Sequence, residues 1–378
     1  MKTDKNQPNN PFVITGYYSP KYFCDREKDT ARIIESMQNH RNVALLSLRR
    51  MGKTGLIDHV FHCVKIKPKY DCFYIDIYPT SNLADFVKLL SKAIIGQLDS
   101  KVENIFKKAS ELFKSIRPVF TFDPINSSLK IEISLSNESR PETSLDELFA
   151  YLQQKASPVI VAIDEFQQIA QYPEKNTEAL LRSYIQRMTN VGFIYAGSQN
   201  HLIQNMFTSY KHPFYQSAEL LFLQAIPLEY YRQFVHRRMK DGNKTISFEA
   251  VDYLYSELFG HTWYMQYTLN RLYTAPFDVI TPTEIQWQLD EIARENVTLY
   301  LSYRNLLTST QWALMQAIGK EKEVKEPTSQ IFTQKYGLSA SSVQRALKTL
   351  MDKDMIYEEN GKYYIYNQFL AYWLRVTY

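Results

Sequence analysis

At 378 residues the chain exceeds what one hydrophobic core serves, and 45% hydrophobic against 22% charged side chains is the balance of a soluble globular protein with two or three domains. A net charge of +4 neither demands nor excludes a nucleic-acid partner. No run approaches the roughly 20 apolar residues that span a bilayer, and Cys24, Cys63 and Cys72 lack paired metal-ligand spacing and a secretory leader. Reduced structural thiols in a cytoplasm, with no membrane partner, are therefore expected.

Residues 1–11 are polar and expected to be disordered. Tyr17 to Glu27 leads into an amphipathic helix with Ile33, Ile34 and Met37 on one face. An apolar strand, 43–46, passes through Ser47-Leu48-Arg49-Arg50-Met51-Gly52-Lys53-Thr54 into a helix over 56–64. His59, His62 and Cys63 share that helix, but no further ligands join them to make a metal site. A second strand, 72–78, is followed by helices over 83–98 and 101–115. Residues 119–122 and 129–135 alternate apolar and polar side chains about Asp123-Pro124, as an inserted hairpin at about 117–137 would. A helix near 145–155 leads to the unbroken apolar run 158–163, which ends in Asp164-Glu165. A helix over 178–188, a strand over 193–197 and a short helix over 202–207 precede a fifth strand, 220–223. Strands alternating with helices over 12–225 predict a parallel α/β sheet covered on both faces.

From 226 to 301 only helices are expected, over 228–240, 248–259, 263–273 and 284–299, a small unit that could form a lid. Gly260-His261-Thr262 separates the second from the third, with Thr262 as cap. From 302 to 378 three helices, 311–318, 330–336 and 340–351, precede strands at 355–358 and 363–366 about the tight turn Asn360-Gly361. That is the order of a winged helix. Gln344, Arg345 and Lys348 face outward on its third helix, where base edges would be met, whereas Glu358 and Glu359 in the wing would repel phosphates. Ten Lys and Arg against seven Asp and Glu from 302 onward decide nothing; docking to protein is the favoured use and DNA binding the alternative.

The Gly52-Lys53-Thr54 turn between strand and helix suits a nucleotide phosphate. Loop amides and the helix N-terminus face the anion, Lys53 reaches its outer phosphates, and Thr54 offers a hydroxyl to Mg²⁺. Ser47 stands where the usual pattern begins with Gly. The buried run ending in Asp164-Glu165 supplies the second half: Asp164 holds Mg²⁺ and Glu165 orients or deprotonates the attacking water. Ser198 and Gln199, at the tip of the neighbouring strand, either sense the γ-phosphate or cap the next helix. Phe23 and Tyr22 either carry an adenine ring or form the apolar lead-in to a helix capped by Asp25.

With these residues assembled, the chain resembles the archaeal-type ATPases also abundant in bacterial gut commensals, a branch of the P-loop NTPases near the AAA+ and STAND groups. The carriers are Phe23-Cys24-Asp25-Arg26-Glu27, Arg49-Arg50-Met51-Gly52-Lys53-Thr54, Ile163-Asp164-Glu165-Phe166-Gln167, Gly197-Ser198-Gln199 and Trp373-Leu374. The resemblance implies an AAA+-like P-loop fold with a helical lid and a C-terminal winged helix. It implies ATP and Mg²⁺ at Lys53, Thr54 and Asp164, Glu165 as the catalytic carboxylate and Ser198 at the sensor position. The expected nucleotide-binding set is Ser47, Arg50, Met51, Gly52, Lys53, Thr54 and Gly55, with Phe23 and Arg26. Related STAND proteins carry Gly-x-Pro in the lid, where this chain has Gly260-His261-Thr262.

The expected function is a slow, Mg²⁺-dependent ATPase acting as a conformational switch, with an ATP-regulated DNA-binding regulator as the alternative. A small-molecule kinase is disfavoured, because adjacent Asp164 and Glu165 serve water activation. A protein partner or self-association stays open, with Arg182 or Arg187 as candidates for an arginine given to a neighbouring subunit.

Overall fold

In the computed structural model, which describes residues 7–63, 70–98, 102–123, 128–136 and 140–378, five apolar runs meet in one sheet. The strands of the first unit, Ser19–Gln224, are β1 (Val43–Leu46), β2 (Asp71–Asp76), β3 (Ile116–Asp123), β4 (Ser128–Leu135), β5 (Val159–Asp164), β6 (Val191–Gly197) and β7 (Glu219–Phe222). The sheet order is β2-β5-β6-β1-β7 with every pairing parallel. Every residue of β1 and β5 is buried, as a strand with helices on both faces requires, and the edge strands β2 and β7 are the more exposed. This order sets β6 between the strand that feeds the Gly-Lys-Thr loop and the strand that ends in Asp164, so the tips of β1, β6 and β5 lie side by side.

The helices of this unit among the described residues are α1 (Glu27–Gln38), α2 (Lys53–His62), α3 (Leu83–Ile95), α4 (Val102–Leu112), α5 (Pro141–Gln154), α6 (Thr177–Ile185) and α7 (Asn200–Thr208). Asn82 caps α3 by accepting from the Asp85 amide. Beneath the tips of β5 and β6, Phe166, Tyr195, Phe207 and Phe214 are buried and packed ring to ring, with centroids 4.5 Å apart for Phe166–Tyr195 and 5.1 Å for Tyr195–Phe207. Such pairs add about 0.5–1.5 kcal/mol each beyond simple burial and make a stiff floor for the loops above. The expected insertion forms as the antiparallel pair β3–β4, registered from Ile116↔Leu135 to Asp123↔Ser128. Its turn at 124–127, the end of the helix expected over 56–64 and the first six residues of the leader lie outside the described residues.

The second unit joins Ala225–Tyr378 to the segment up to Tyr18. Its helices are α8 (Leu228–Asp241), α9 (Phe248–Leu258), α10 (Thr262–Thr274), α11 (Pro282–Glu295), α12 (Val297–Asn305), α13 (Ser309–Glu321), α14 (Gln330–Tyr336), α15 (Ala340–Asp352) and α16 (Gln368–Thr377). Short β8 (Thr245–Ile246) and β9 (Val279–Ile280) pair in parallel, and β10 (Ile356–Glu359) and β11 (Lys362–Ile365) form the wing about Asn360-Gly361, both at positive φ. A bridge from Val324 to Tyr363 adds a third short arm to it.

The structure departs from the sequence expectations at several places. The helix expected over 284–299 breaks at Asn296, and α12 runs across the 301/302 boundary. Thr262 is the first helical residue of α10 rather than its cap, because the left-handed pair Phe259-Gly260 places His261 at the cap position. Asp25 does not cap α1: Asp25 and Arg26 are both left-handed, and Arg26 occupies the cap without a side-chain bond. The unforeseen α16 buries Gln368 through Leu374. It ties the wing to the preceding helices, with Tyr372 donating to Asp290 Oδ1 at 2.7 Å and Arg375 joined to Glu257, which also holds Lys322 at 2.7 Å. His261, on the α9–α10 turn, meets the Tyr357 hydroxyl of β10 at 3.2 Å.

At the other end of the chain, the Asn10 amide donates to Asn270 O at 2.8 Å and Asn270 returns a bond to Phe12 O at 2.7 Å. The Phe12 ring is fully buried, edge-on to Phe234 and Tyr273. The leader expected to be disordered through residue 11 is therefore held, from Asn10 on, by its own polar side chains against α10.

Candidate active site

The loop between β1 and α2 bends through two left-handed residues, Arg50 (φ 67) and Gly52 (φ 93), before α2 begins at Lys53. Glycine at the second position accepts that conformation without a Cβ penalty, and it sets the amides of the first turn at the positive end of the helix. Lys53 is 8% exposed, and its ammonium donates to Ser47 O at 3.2 Å, Ser47 Oγ at 3.1 Å and Leu48 O at 3.4 Å. Ser47, where the usual pattern has glycine, thus has a use for its hydroxyl. Burial lowers the Lys53 pKa, the Asp164 and Glu165 carboxylates oppose that shift, and Arg49 adds to it. The two carboxylates favour the charged form of this buried ammonium, the form an outer phosphate would meet.

Thr54 Oγ1 donates to Asp164 Oδ2 at 3.0 Å, so a hydroxyl and a carboxylate from segments 110 residues apart meet at one point. Asp164 is 6% exposed and also accepts from the Tyr74 hydroxyl at 2.9 Å on Oδ2 and from the Glu165 amide at 3.0 Å on Oδ1. Tyr74 stands on β2, which pairs with β5 along its whole length; burial and then the Asp164 charge raise its pKa and keep it a donor. Asp76, paired with Asp164 at the sheet edge, is raised by burial and by the charges of Asp164 and Glu165.

Glu165 follows in a left-handed conformation (φ 55), which turns its carboxylate across to β6. Its Oε2 accepts from Ser198 Oγ at 3.0 Å, from the Ser198 amide at 3.4 Å and from Gln167 Nε2 at 2.5 Å. Arg49 Nε in turn donates to Ser198 Oγ at 3.1 Å. The Ser198 side chain is thus committed to Glu165 and Arg49 and does not cap α7, whose cap position is Gln199 without a side-chain bond.

Around the loop, Arg26 is 6% exposed, donates to Met51 O at 3.4 Å and pairs with Asp29 at 3.3 Å, burial lowering its pKa. Met51 is buried. Phe23 stacks on His59 at 4.4 Å, and a Cβ at Gly55 would touch its ring at 3.5 Å. Phe23 thus lies on the first turns of α2, beside the loop between β1 and α2. His62 Nδ1 is at 2.8 Å from Asp58 O, so the histidines of α2 serve contacts of their own. Among the described residues no group of three His, Cys, Asp or Glu is placed to hold a metal; the hydroxyl–carboxylate pair of Thr54 and Asp164 is the part of the site that suits Mg²⁺, with Lys53 for a phosphate. Arg187 is exposed beyond α6, and the charge of Arg182 bears on buried Tyr195. Sequence reasoning did not name Tyr74, and it named Arg49 and Gln167 only within the motifs that carry the resemblance, with no role of their own. All three free cysteines, Cys24, Cys63 and Cys72, are in this unit, and among the described residues no helix is long and apolar enough to cross a membrane.

Residues 298–376 match the model of a family described as a probable winged helix domain. No curated protein matches the chain in sequence. Among solved structures, the chain is similar to a Walker-type ATPase of Pyrococcus abyssi (TM-score 0.65, 17% identity, covering 97% of this chain and 99% of that one). It is also similar to the Aeropyrum pernix ORC2 protein, solved in ADPNP–ADP complexes (TM-score 0.57, 11% identity, 97% and 95% covered). The ORC1 protein of the same organism, solved in complex with DNA, matches at a TM-score of 0.52 and 11% identity over 98% and 97% of the two chains. The fold is that of a P-loop ATPase, a parallel sheet flanked by helices, with a winged helix at its C-terminus.

Proposed function

We propose, starting from a fold shared with Walker-type ATPases, that this protein binds ATP with Mg²⁺ and hydrolyses it slowly, and that nucleotide state acts as a conformational switch to which the helical and winged-helix segments respond. The observation that carries this is the meeting of Lys53, Thr54, Asp164 and Glu165 from two strand tips, with Ser198 from a third between them. Lys53 and the loop from Ser47 to Gly55 bind the phosphates, and Phe23 with Arg26 flanks the nucleotide. Thr54 and Asp164 hold Mg²⁺, which when bound offsets the phosphate charge. Glu165 orients a water for attack and takes its proton, and Ser198 keeps that carboxylate on the phosphate side of β6. A division of the second unit into a helical segment, 226–301, and a winged helix, 302–378, and a cytoplasmic location belong to the same proposal, whereas residues 12–18, expected in the sheet-bearing domain over 12–225, group with the second unit instead.

Lys53→Ala is expected to abolish ATP binding, whereas Glu165→Gln keeps binding and suppresses phosphate release. Unchanged ATP affinity in the Lys53 variant refutes the assignment. Free phosphate released without an added acceptor separates a hydrolase from a small-molecule kinase.

A second reading is ATP-regulated DNA binding, favoured by α15, which buries Val343, Ala346, Leu347 and Leu350 and exposes Gln344, Arg345 and Lys348. The DNA-bound Aeropyrum ORC1 structure supports trying it. Glu358 and Glu359, exposed in the wing, weigh against it, and a protein partner or a second copy is the competing use. Duplex retardation that weakens with salt and with Arg345→Ala supports this reading; no retardation at low salt disposes of it.

A further inference from the structure

We propose that Arg49 is a catalytic residue: its guanidinium supplies, from within the same chain, the positive charge that a transferring phosphoryl group requires. The proposal rests on ATP hydrolysis at the site described above and names a residue which that reading did not need.

Arg49 lies within the phosphate loop, between the carbonyls of Ser47 and Leu48 that hold Lys53 and the left-handed turn at Arg50. Its Nε donates to Ser198 Oγ at 3.1 Å, and Ser198 donates to Glu165 at 3.0 Å. A guanidinium from the β1 tip, a hydroxyl from the β6 tip and a carboxylate from the β5 tip therefore form one chain of contacts. Arg49 is also near enough to Lys53 for its charge to weigh on that ammonium. It is bracketed by the lysine that takes the outer phosphates and by the carboxylate that addresses water, and the reacting phosphorus must lie between those two groups.

In the step itself, the oxygen of water bonds to the terminal phosphorus while the bond from that phosphorus to the bridging oxygen breaks. ADP leaves with the electron pair, and the water proton passes to Glu165. Negative charge grows on the bridging and equatorial oxygens, where a planar guanidinium can bond two of them at once. Arg182 and Arg187 would have to be offered to another subunit, because the first acts beneath the sheet on Tyr195 and the second projects beyond α6.

The test uses full-length wild type, Arg49→Ala, Arg49→Lys and Ser198→Ala, with ADP affinity, trapping of ADP with magnesium and aluminium fluoride, and phosphate release as readouts. Arg49→Ala is expected to keep ADP affinity within about threefold, lose the trapped complex, and hydrolyse about 10³-fold more slowly, the lower end of what such an arginine supplies. Arg49→Lys should not restore trapping, since an ammonium lacks the fork, and added guanidinium ion should recover part of the Arg49→Ala loss. Mixing Arg49→Ala with Lys53→Ala should give no recovery at any ratio. Normal turnover or normal trapping in Arg49→Ala overturns the proposal, and so does recovery in the mixture, which places the arginine in trans. If Ser198→Ala falls as far as Arg49→Ala while both still trap, Arg49 only positions Ser198 and the proposal fails. Should Arg49→Ala not fold, Arg49→Lys alone decides: full turnover overturns the proposal. Loss of ATP binding in the wild type itself would instead defeat the parent reading.

Discussion

Adding one methyl group at Gly197 tests the geometry that holds Glu165. A Cβ built there would stand 2.1 Å from Gln167 Oε1 and 3.2 Å from both Gln167 Cδ and Ile203 Cδ1. Gln167 is 4% exposed, and its amide nitrogen is already given to Glu165 at 2.5 Å. To restore an ordinary contact of 3.4 Å the amide must withdraw by 1.3 Å or more, which breaks its bond to the carboxylate, or the tip of β6 must shift. Overpacking a close-packed site costs about 1–3 kcal/mol, and losing a hydrogen bond to a charged group costs about 1.5–3 kcal/mol. Gly197→Ala is therefore expected to lower stability by about 2.5–6 kcal/mol, on those two estimates together. All four Trp, at 263, 287, 312 and 373, lie in the other unit, so the melt of this one is followed by far-ultraviolet circular dichroism while Trp emission stays unchanged. Phosphate release should fall, and ADP affinity should hold, since Lys53 and Thr54 are untouched. Shortening the opposing side chain in Gly197→Ala/Gln167→Ala should return more than half of the lost stability but not the turnover. A single variant as stable and active as wild type would show that Gln167 does not fill this space.

Other perturbations address the second unit, where the tryptophans serve as reporter. Glu257 is 7% exposed and bonded to Lys322 and Arg375, so Glu257→Ala strands a largely buried guanidinium and should destabilise this unit by about 3–5 kcal/mol in urea titrations; less than about 1 kcal/mol would mean that the Glu257–Arg375 pair is not buried as described. His261 is 3% exposed, and burial pushes its pKa down to about 4 from 6.5. The unfolded chain thus takes up a proton first as pH falls, so stability is whole above 6.5 and declines toward 4, by about 3 kcal/mol in all. His261→Asn should flatten that part of the pH–stability curve, and an unchanged slope would show another group responsible. Phe12→Ala should lower the same unit's stability by about 3–5 kcal/mol, as loss of a fully buried ring does, and an unshifted Trp-detected melt would contradict its placement.

Most of the strand and helix order was legible because it is written locally: unbroken apolar runs for β1 and β5, four-residue periodicity in α15, and Asn360-Gly361 for the wing. Lys53, Thr54 and Asp164 were legible for the same reason, each carried by a short motif with its own chemistry. What escaped depends on neighbours in space. Tyr74 matters only because β2 pairs with β5, and Gln167 only because Gly197 leaves room for it. Arg49 matters because β6 separates β1 from β5 and brings Ser198 alongside. Residues 368–374 carry helical periodicity after the cap Asn367, yet their burial depends on α9, α11 and α13, which no local pattern announces. At Thr262 a generic cap preference lost to the left-handed backbone at Phe259-Gly260.

Because Asn10 and Phe12 are fastened to α8 and α10, the segment before Ser19 shares a unit with the segment after Gln224, and the chain visits the sheet-bearing unit as an excursion from Ser19 to Gln224. Removing the segment from Asn10 to Phe12 would therefore injure the unit built from Ala225–Tyr378, more than two hundred positions away in sequence. The sheet-bearing half, by contrast, could be excised with both of its ends cut at the crossings and still keep every strand of its sheet.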